Sequence, residues 1–226
     1  MIIGLVGLIG NGKGTVADIL VRNHGFEKMA FADPLKDAAS SIFGWDRSLL
    51  EGDTKTSREF RECPDPFWSK WFGRDFTPRE ALQVLGTQSG RDVFGEDLWV
   101  RSLQRRVANC DNKNIVIADT RFKNEIDAIH KMNGEIIQIK RGPDPEWYDE
   151  LINLPRRSAE YSVGVPRPLT ANTFMRENYP EVHISEWAWV GLPVNYILYN
   201  DGSLDELEAN VNYMLTRFKG PCKITA

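Results

Sequence analysis

The residues richest in chemistry lie near the amino end, where Gly7-Leu8-Ile9-Gly10-Asn11-Gly12-Lys13-Gly14-Thr15 sets a glycine, four residues and then a Gly-Lys pair. Glycines at this density let successive backbone N–H groups turn inward on one anion, and a lysine at the end of the run supplies a mobile positive charge. That is the composition of a phosphate-binding loop. Gly10, Asn11, Gly12, Lys13, Gly14 and Thr15 are the residues that would cradle a nucleotide triphosphate, with Lys13 bridging its β and γ phosphates. The plain alternative is a glycine-rich strand-to-helix turn carrying a surface lysine, and the order of flanking elements argues against it. The general motif has Ser or Thr directly after the lysine. Here Gly14 stands there and the hydroxyl arrives at Thr15, which leaves direct ligation of Mg²⁺ by Thr15 open.

A second cluster follows the apolar run Ile115-Val116-Ile117, after which come Asp119, Thr120, Arg121 and then Glu125. A carboxylate just past such a strand can hold Mg²⁺ directly or through water, which makes Asp119 the candidate metal residue; capping the next helix is its other use. Arg121 and Glu125 are four apart, so in a helix that includes both they share a face and form a charge pair. Arg121 is then expected to neutralise the acceptor or the transferring phosphoryl group and Glu125 to fix its guanidinium, against the simpler reading of a solvated salt bridge. Transfer between two phosphates needs charge neutralisation and in-line positioning more than a strong base, because the acceptor is already ionised near neutral pH.

Such residues need a frame that delivers them to one edge. Ile2-Ile3-Gly4-Leu5-Val6 reads as a buried, central parallel strand running into the glycine loop, and Val16, Ala17, Ile19 and Leu20 give the following helix its apolar face up to Gly25. A strand is expected over 27–32, with Asp33-Pro34 as N-cap and first turn of a helix to about Phe43, and a further helix from Thr77-Pro78 to Leu85. Strands over 114–118, 134–140 and 194–199, a helix over 125–132 and a closing helix over 203–218 with a Ser203/Glu206 capping box complete the alternation. Two stretches keep neither period: Gly44 to Phe76, read as an irregular insertion over the catalytic face, and Arg141 to Gly191, read as a lid.

Composition removes other classes. The 226 residues are 42% hydrophobic and 27% charged, with 18 Gly and 12 Pro, which excludes collagen-like and wholly disordered chains. Lys and Arg total 28 against 32 Asp and Glu, a formal charge of -4, so no basic excess advertises nucleic acid or an anionic membrane and any phosphate site is local. Cys63, Cys110 and Cys222 are too few and scattered for a disulfide framework, and the three histidines make no zinc motif. The amino-terminal run is broken by Gly4 and Gly7, so neither a signal peptide nor a membrane span is expected there and the cytoplasm, a host's if the source is viral, is the expected compartment.

The Gly-Lys-Gly-Thr ending of the loop resembles adenylate kinase and its relatives. The resemblance sharpens along the chain: Phe31-Ala32-Asp33-Pro34-Leu35-Lys36, Leu82 to Thr87, Leu98-Trp99-Val100, Asp119-Thr120-Arg121 through Glu125, His183-Ile184-Ser185-Glu186 and Asn200-Asp201-Gly202-Ser203-Leu204 follow an order similar to that of the phage deoxynucleoside monophosphate kinases. The stretches from Gly44 to Phe76 and Gly142 to Glu181 do not take part. The resemblance puts Arg121 and Glu125 at the catalytic centre. It favours Lys36, Arg79 and Arg91 as the grip on the acceptor monophosphate, with Gln83 reading a base edge and the Trp99 indole lying on a base or a deoxyribose. It implies that Arg141 and Asn200 flank the donor adenine, and it leaves Arg156, Arg157, Arg167 and Arg176 as undivided lid candidates. His183 and Glu186 match the family string without a defined role.

The expectation is therefore an α/β fold of the P-loop NTPase type. It is a doubly wound parallel sheet of about five strands with helices on both faces, forming a single domain with a monophosphate-binding insertion over about 44–95 and a lid over about 142–190. The expected activity is transfer of the ATP γ-phosphoryl group to a deoxynucleoside monophosphate with Mg²⁺ as cofactor. The expected partners are small nucleotides rather than nucleic acid or membrane, and a homodimer is compatible with the reading. A kinase resembling dephospho-coenzyme A kinase and a nucleotide-gated ATPase switch are the alternatives.

Overall fold

The computed structural model describes residues 1–159 and 170–218. In chain order the elements are β1 (Ile2–Val6), α1 (Lys13–His24), β2 (Glu27–Met29), α2 (Asp33–Phe43), a 3-10 turn (Arg47–Leu50), α3 (Lys55–Glu62), α4 (Pro66–Phe72) and α5 (Pro78–Gly86). A π-helical turn (Thr87–Arg91), α6 (Asp92–Phe94), α7 (Leu98–Asn109), β3 (Ile115–Ile117), α8 (Lys123–Lys131), β4 (Glu135–Lys140), α9 (Glu146–Ala159), α10 (Ala171–Asn178), α11 (Ile184–Trp187), β5 (Tyr196–Tyr199) and α12 (Leu204–Phe218) follow. The chain divides into two compact units, Met1–Lys28 with Asp111–Ala226, and Met29–Cys110. The expected insertion over 44–95 lies within the second.

The first unit is built on a five-stranded sheet of order β2-β3-β1-β4-β5, in which β1 pairs in parallel with β3 and β4, and β4 with β5. Strand alternation decides what covers each face. Ile3 and Leu5 of β1, Val116 of β3, Ile137 and Ile139 of β4 and Leu198 of β5 join Val16, Ile19 and Leu20 of α1 and Leu207, Val211 and Met214 of α12 in one buried cluster. On the opposite face Gly4 lies under α8, where an added Cβ would stand 2.5 Å from Ile129 Cδ1, so the helix seats only because the strand has no side chain there. Each fully buried Ile or Leu in this core contributes about 1.5–3 kcal/mol over an exposed one, which fixes the strand ends that carry the site. Gly25 ends α1 in the left-handed region at φ 67, as its position predicts. The Ser203/Glu206 capping box is present, with N–H to side-chain bonds of 2.8 and 3.3 Å.

The second unit departs from expectation between Gly44 and Phe76. These residues are not irregular: the 3-10 turn, α3 and α4 each start on a side-chain cap, Asp46, Thr54 and Asp65 respectively. Periodicity is faint because the helices are short, and their contribution to the core comes from single large residues. Trp45, Leu50 and Phe76 bury with Ala39, Ala81 and Leu82, and Phe43 stacks on Trp45 at 4.5 Å between ring centroids. Strand β2 is shorter than expected, and Asp33 is not the N-cap of α2. Ala32 holds that position, while the Asp33 carboxylate reaches back to accept the Ala30 N–H at 2.6 Å.

Candidate functional site

The phosphate loop leaves the C-terminal end of β1 and runs into the first turn of α1. Gly7 has φ 144 and a Cβ there would stand 2.4 Å from the Ile139 carbonyl oxygen, so only glycine lets the loop pass β4 this closely. Side-chain amides tie the loop down. Asn11 Nδ2 donates to Ile139 O at 2.9 Å, Asn200 Nδ2 donates to Asn11 O at 2.9 Å, and Asn200 N donates to Lys140 O at 2.8 Å. Asn200, expected beside the donor base, is thus also a strut under the loop. The Lys13 ammonium folds back to donate to Gly7 O at 2.7 Å and Leu8 O at 2.9 Å. Burial pushes its pKa down from 10.5 to about 8, Glu186 pulls it up, and the positive charge of Arg121 lowers it further. Thr15, in the first turn of α1, is exposed.

Past β3, Asp119 is half-buried two residues beyond the strand end, and Arg121 lies ahead of α8 rather than in it. The shared helix face expected of Arg121 and Glu125 does not exist, because α8 begins at Lys123. Glu125 instead takes the third helical position and turns back, its carboxylate accepting the N–H of Arg121 at 2.7 Å and of Phe122 at 3.0 Å. It is buried, and it fixes Arg121 through the main chain. The guanidinium donates from Nη1 to Ser185 Oγ at 3.0 Å, and Glu186 accepts the Ile9 N–H of the phosphate loop at 2.9 Å. Lys13, Arg121, Ser185 and Glu186 thereby meet at one place.

The acceptor candidates other than Arg121 all belong to the second unit. Lys36 of α2 is ion-paired with Glu51 at 2.6 Å, and Arg79 of α5 is paired with Glu62. Gln83 is exposed on α5, and Arg91 ends the π-helical turn, half-buried. Trp99 is placed by that turn: its indole Nε1 donates to Gly86 O at 2.9 Å, and a Cβ on Gly90 would lie 2.8 Å from its ring. A π turn is rare and recurs at functional sites, and here it sets Arg91 and Trp99 on nearby elements. Arg47, which sequence reasoning passed over, is a hub bonded to Asp33 at 2.9 Å, Asp37 at 2.6 Å and Glu51. Burial opposes the charge on Asp37, but hydrogen bonds from Arg47 and Arg106 outweigh it and hold the carboxyl below its usual range.

In the carboxyl third Arg141 is exposed directly after β4, and Arg176 lies on α10 beside a cavity of about 260 Å³ lined also by Met175, Tyr179, His183 and Trp187. Arg167 lies outside the described residues, as do the side chains of Arg156 and Arg157. No group of three or more His, Cys, Asp or Glu fit to hold a metal occurs among the described residues, and no helix among them is long and apolar enough to cross a membrane.

No protein-family model matches the chain. A protein of Acanthamoeba polyphaga mimivirus named as a deoxynucleotide monophosphate kinase is 35% identical over 155 residues, covering 62% of this chain and 74% of that one. The chain belongs to the deoxynucleotide monophosphate kinase family. The deoxynucleoside-5'-monophosphate kinase of Escherichia phage T5 is 24% identical to this kinase over 183 residues, covering 59% and 73% of the two chains. Among solved structures, TT1252 from Thermus thermophilus is 20% identical with a TM-score of 0.44, over 97% of this kinase and 98% of that chain. Dephospho-CoA kinase from Campylobacter jejuni is 15% identical with a TM-score of 0.41, over 96% of each.

Sequence reasoning about this kinase missed what Ser185 and Glu186 hold and the strut role of Asn200. The string His183-Ile184-Ser185-Glu186 was the available signal, yet nothing in its spacing says that it returns to a loop 177 residues away.

Proposed function

We propose that this kinase transfers the γ-phosphoryl group of ATP to the phosphate of a deoxynucleoside 5'-monophosphate, giving ADP and the diphosphate. The observation that carries the reading is the meeting of two cations at one loop. Arg121 stands near enough to Lys13 to depress its pKa, an unfavourable pairing that a polyanion at the loop would relieve. In this reading the amides from Gly10 to Thr15 hold the β and γ phosphates, with Lys13 turning from the Gly7 and Leu8 carbonyls onto them. Arg121, its backbone fixed by Glu125, neutralises the transferring group. Asn200 and Arg141 flank the donor base. Lys36, Arg79, Gln83, Arg91 and Trp99 serve the acceptor, with the indole against base or sugar.

The residues fit Mg²⁺ rather than zinc: an exposed hydroxyl at Thr15 and a half-buried carboxylate at Asp119 leave room for the waters and phosphate oxygens this ion prefers. Thr15 and Asp119 would hold it, and when bound it would neutralise phosphate charge. Small nucleotides are the partners; a homodimer is part of the proposal. The test is a panel of deoxy and ribo monophosphates with ATP and Mg²⁺, read out as diphosphate formed. Failure of every monophosphate to gain a phosphate, or ATP hydrolysis indifferent to all of them, ends the reading.

A further inference from the structure

Ser185 and Glu186 are neighbours on α11, and each holds a different part of the donor site. Glu186 Oε2 accepts the Ile9 N–H at 2.9 Å, which puts a carboxylate on the apex of the phosphate loop. Ser185 Oγ accepts from Arg121 Nη1 at 3.0 Å. The serine is itself held. Its N–H points at His183 Nδ1 at 3.3 Å and its Oγ lies 2.9 Å from the same nitrogen. Whichever of the two donates in the Oγ–Nδ1 contact, Oγ keeps a lone pair for the guanidinium. Ser185 is buried, 8% exposed, and Trp187 anchors the same turn at 7%.

A triphosphate needs the loop on which Glu186 already stands, one residue ahead of the amides from Gly10 onward. Its terminal phosphate is an anion that needs loop N–H donors and the Lys13 charge, and Glu186 is a second anion on that loop. The Glu186 contact is at an exposed stretch of the loop, and a carboxylate and a phosphate held on adjoining residues of one loop repel. Because Ser185 and Glu186 are consecutive in a helix of four residues, a displacement that takes the carboxylate off Ile9 moves the hydroxyl as well.

We propose that Ser185 and Glu186 are positioning residues forming a latch: the terminal phosphate of the donor expels Glu186 from the loop, and the same movement of α11 takes Ser185 off Arg121, so the guanidinium reaches the phosphoryl group only once the donor is seated. The inference rests on the kinase reading, since it is there that Arg121 meets a phosphoryl group. On this account the His183-Ile184-Ser185-Glu186 string holds Arg121 away from the loop until the donor arrives.

Two variants test it. Glu186→Gln keeps the shape and the amide acceptor but removes the charge. Calorimetry with a non-hydrolysable ATP analogue is run from about pH 6.5 downward, because wild-type Lys13, with its pKa of about 8, is charged there and loss of Glu186 lowers that value in the variant. Glu186→Gln is expected to bind the analogue about tenfold more tightly than the wild type, with deoxynucleoside monophosphate binding unchanged. Ser185→Ala frees Arg121 before the donor arrives and is expected to tighten analogue binding severalfold, whereas loss of a merely structural hydrogen bond would leave binding equal or weaker. Equal or weaker analogue binding by Glu186→Gln overturns the latch, as does weaker binding confined to Mg²⁺-containing buffer, which would make Glu186 a metal ligand. Unchanged or weaker analogue binding by Ser185→Ala overturns it too. Should Glu186→Gln not fold, Glu186→Asp carries the same test: the shorter arm no longer reaches Ile9, and tighter analogue binding is again expected. Wild-type protein that binds the analogue and phosphorylates a monophosphate while the variants match it rejects the latch alone; wild-type protein that does neither rejects the kinase reading.

Discussion

Lys13 should take up a proton as the donor binds. Its pKa stands at about 8 rather than 10.5, a preference for the neutral form of about 3 kcal/mol. Burial is the main cause, Glu186 works against it and Arg121 adds to it. Donor phosphates supply opposite charge in contact with the ammonium and raise the value again. At pH 8 about half of the unbound protein is therefore short of one proton, and binding should draw in about half a proton per donor. Above pH 8 donor affinity should fall by about tenfold per pH unit until the bound lysine itself titrates, while below about pH 6.5 both uptake and pH dependence should vanish. For folding the sign is the opposite of a salt-bridged lysine: the folded chain binds fewer protons than the unfolded one between about 8 and 10.5, so this group's contribution to stability rises with pH across that window. The assay is calorimetry with a non-hydrolysable ATP analogue in buffers of different ionisation heat. The neighbours supply an internal check, because Arg121→Ala should move the midpoint up and Glu186→Gln should move it down. No proton uptake at pH 8, or a midpoint that both variants leave in place, would refute the reasoning.

Further outcomes follow from the same geometry. Lys13→Ala should abolish phosphoryl transfer while far-ultraviolet circular dichroism and the melting profile persist, and Arg121→Ala should lower kcat by about a thousandfold in a coupled ADP assay. Gly12→Ala places a Cβ 2.3 Å from Asn200 Nδ2 at φ 96 and should raise the donor KM by about tenfold and lower Tm; Gly14→Ala, with nothing within 4 Å of the new Cβ, should leave Tm unchanged or slightly higher. Glu125→Ala strands the Arg121 and Phe122 amides, a cost of about 1–3 kcal/mol in urea unfolding, and kcat should fall with it because Arg121 loses its seat. In the second unit the charges on Asp37 and Glu51 are held below the usual carboxylate range, so their contribution is present at neutral pH and is lost as pH falls through those depressed values; acid titration followed by the fluorescence of the buried Trp45 should report it.

The centre of the sheet could be read from the chain because β1 and β3 are apolar on both faces: Ile2 to Val6 and Ile115 to Ile117 have no other use, and the glycine loop, Gly25 and the Ser203/Glu206 pair punctuate the connections locally. Two kinds of error arose where a local rule met a longer-range demand. Arg121 and Glu125 have helical spacing, yet the carboxylate is needed at the helix start, so α8 begins two residues beyond the arginine. The segment from Gly44 to Phe76 hid its helices because each is short and buries little: α4 buries no residue and α3 only Ser57, with Phe60 and Trp68 partly buried against the core. Contacts such as Ile9 with Glu186 and Asn11 with Asn200 span most of the chain, and no window of sequence contains both partners.

The second compact unit is one uninterrupted stretch, Met29–Cys110, entered from the β2 edge and left before β3, whereas every residue proposed for the donor comes from outside it. In the proposed reading most of the acceptor grip is a cassette. Grafting the stretch from a kinase with another acceptor, at junctions beside Lys28 and Asp111, should retarget the enzyme while leaving its ATP cradle intact.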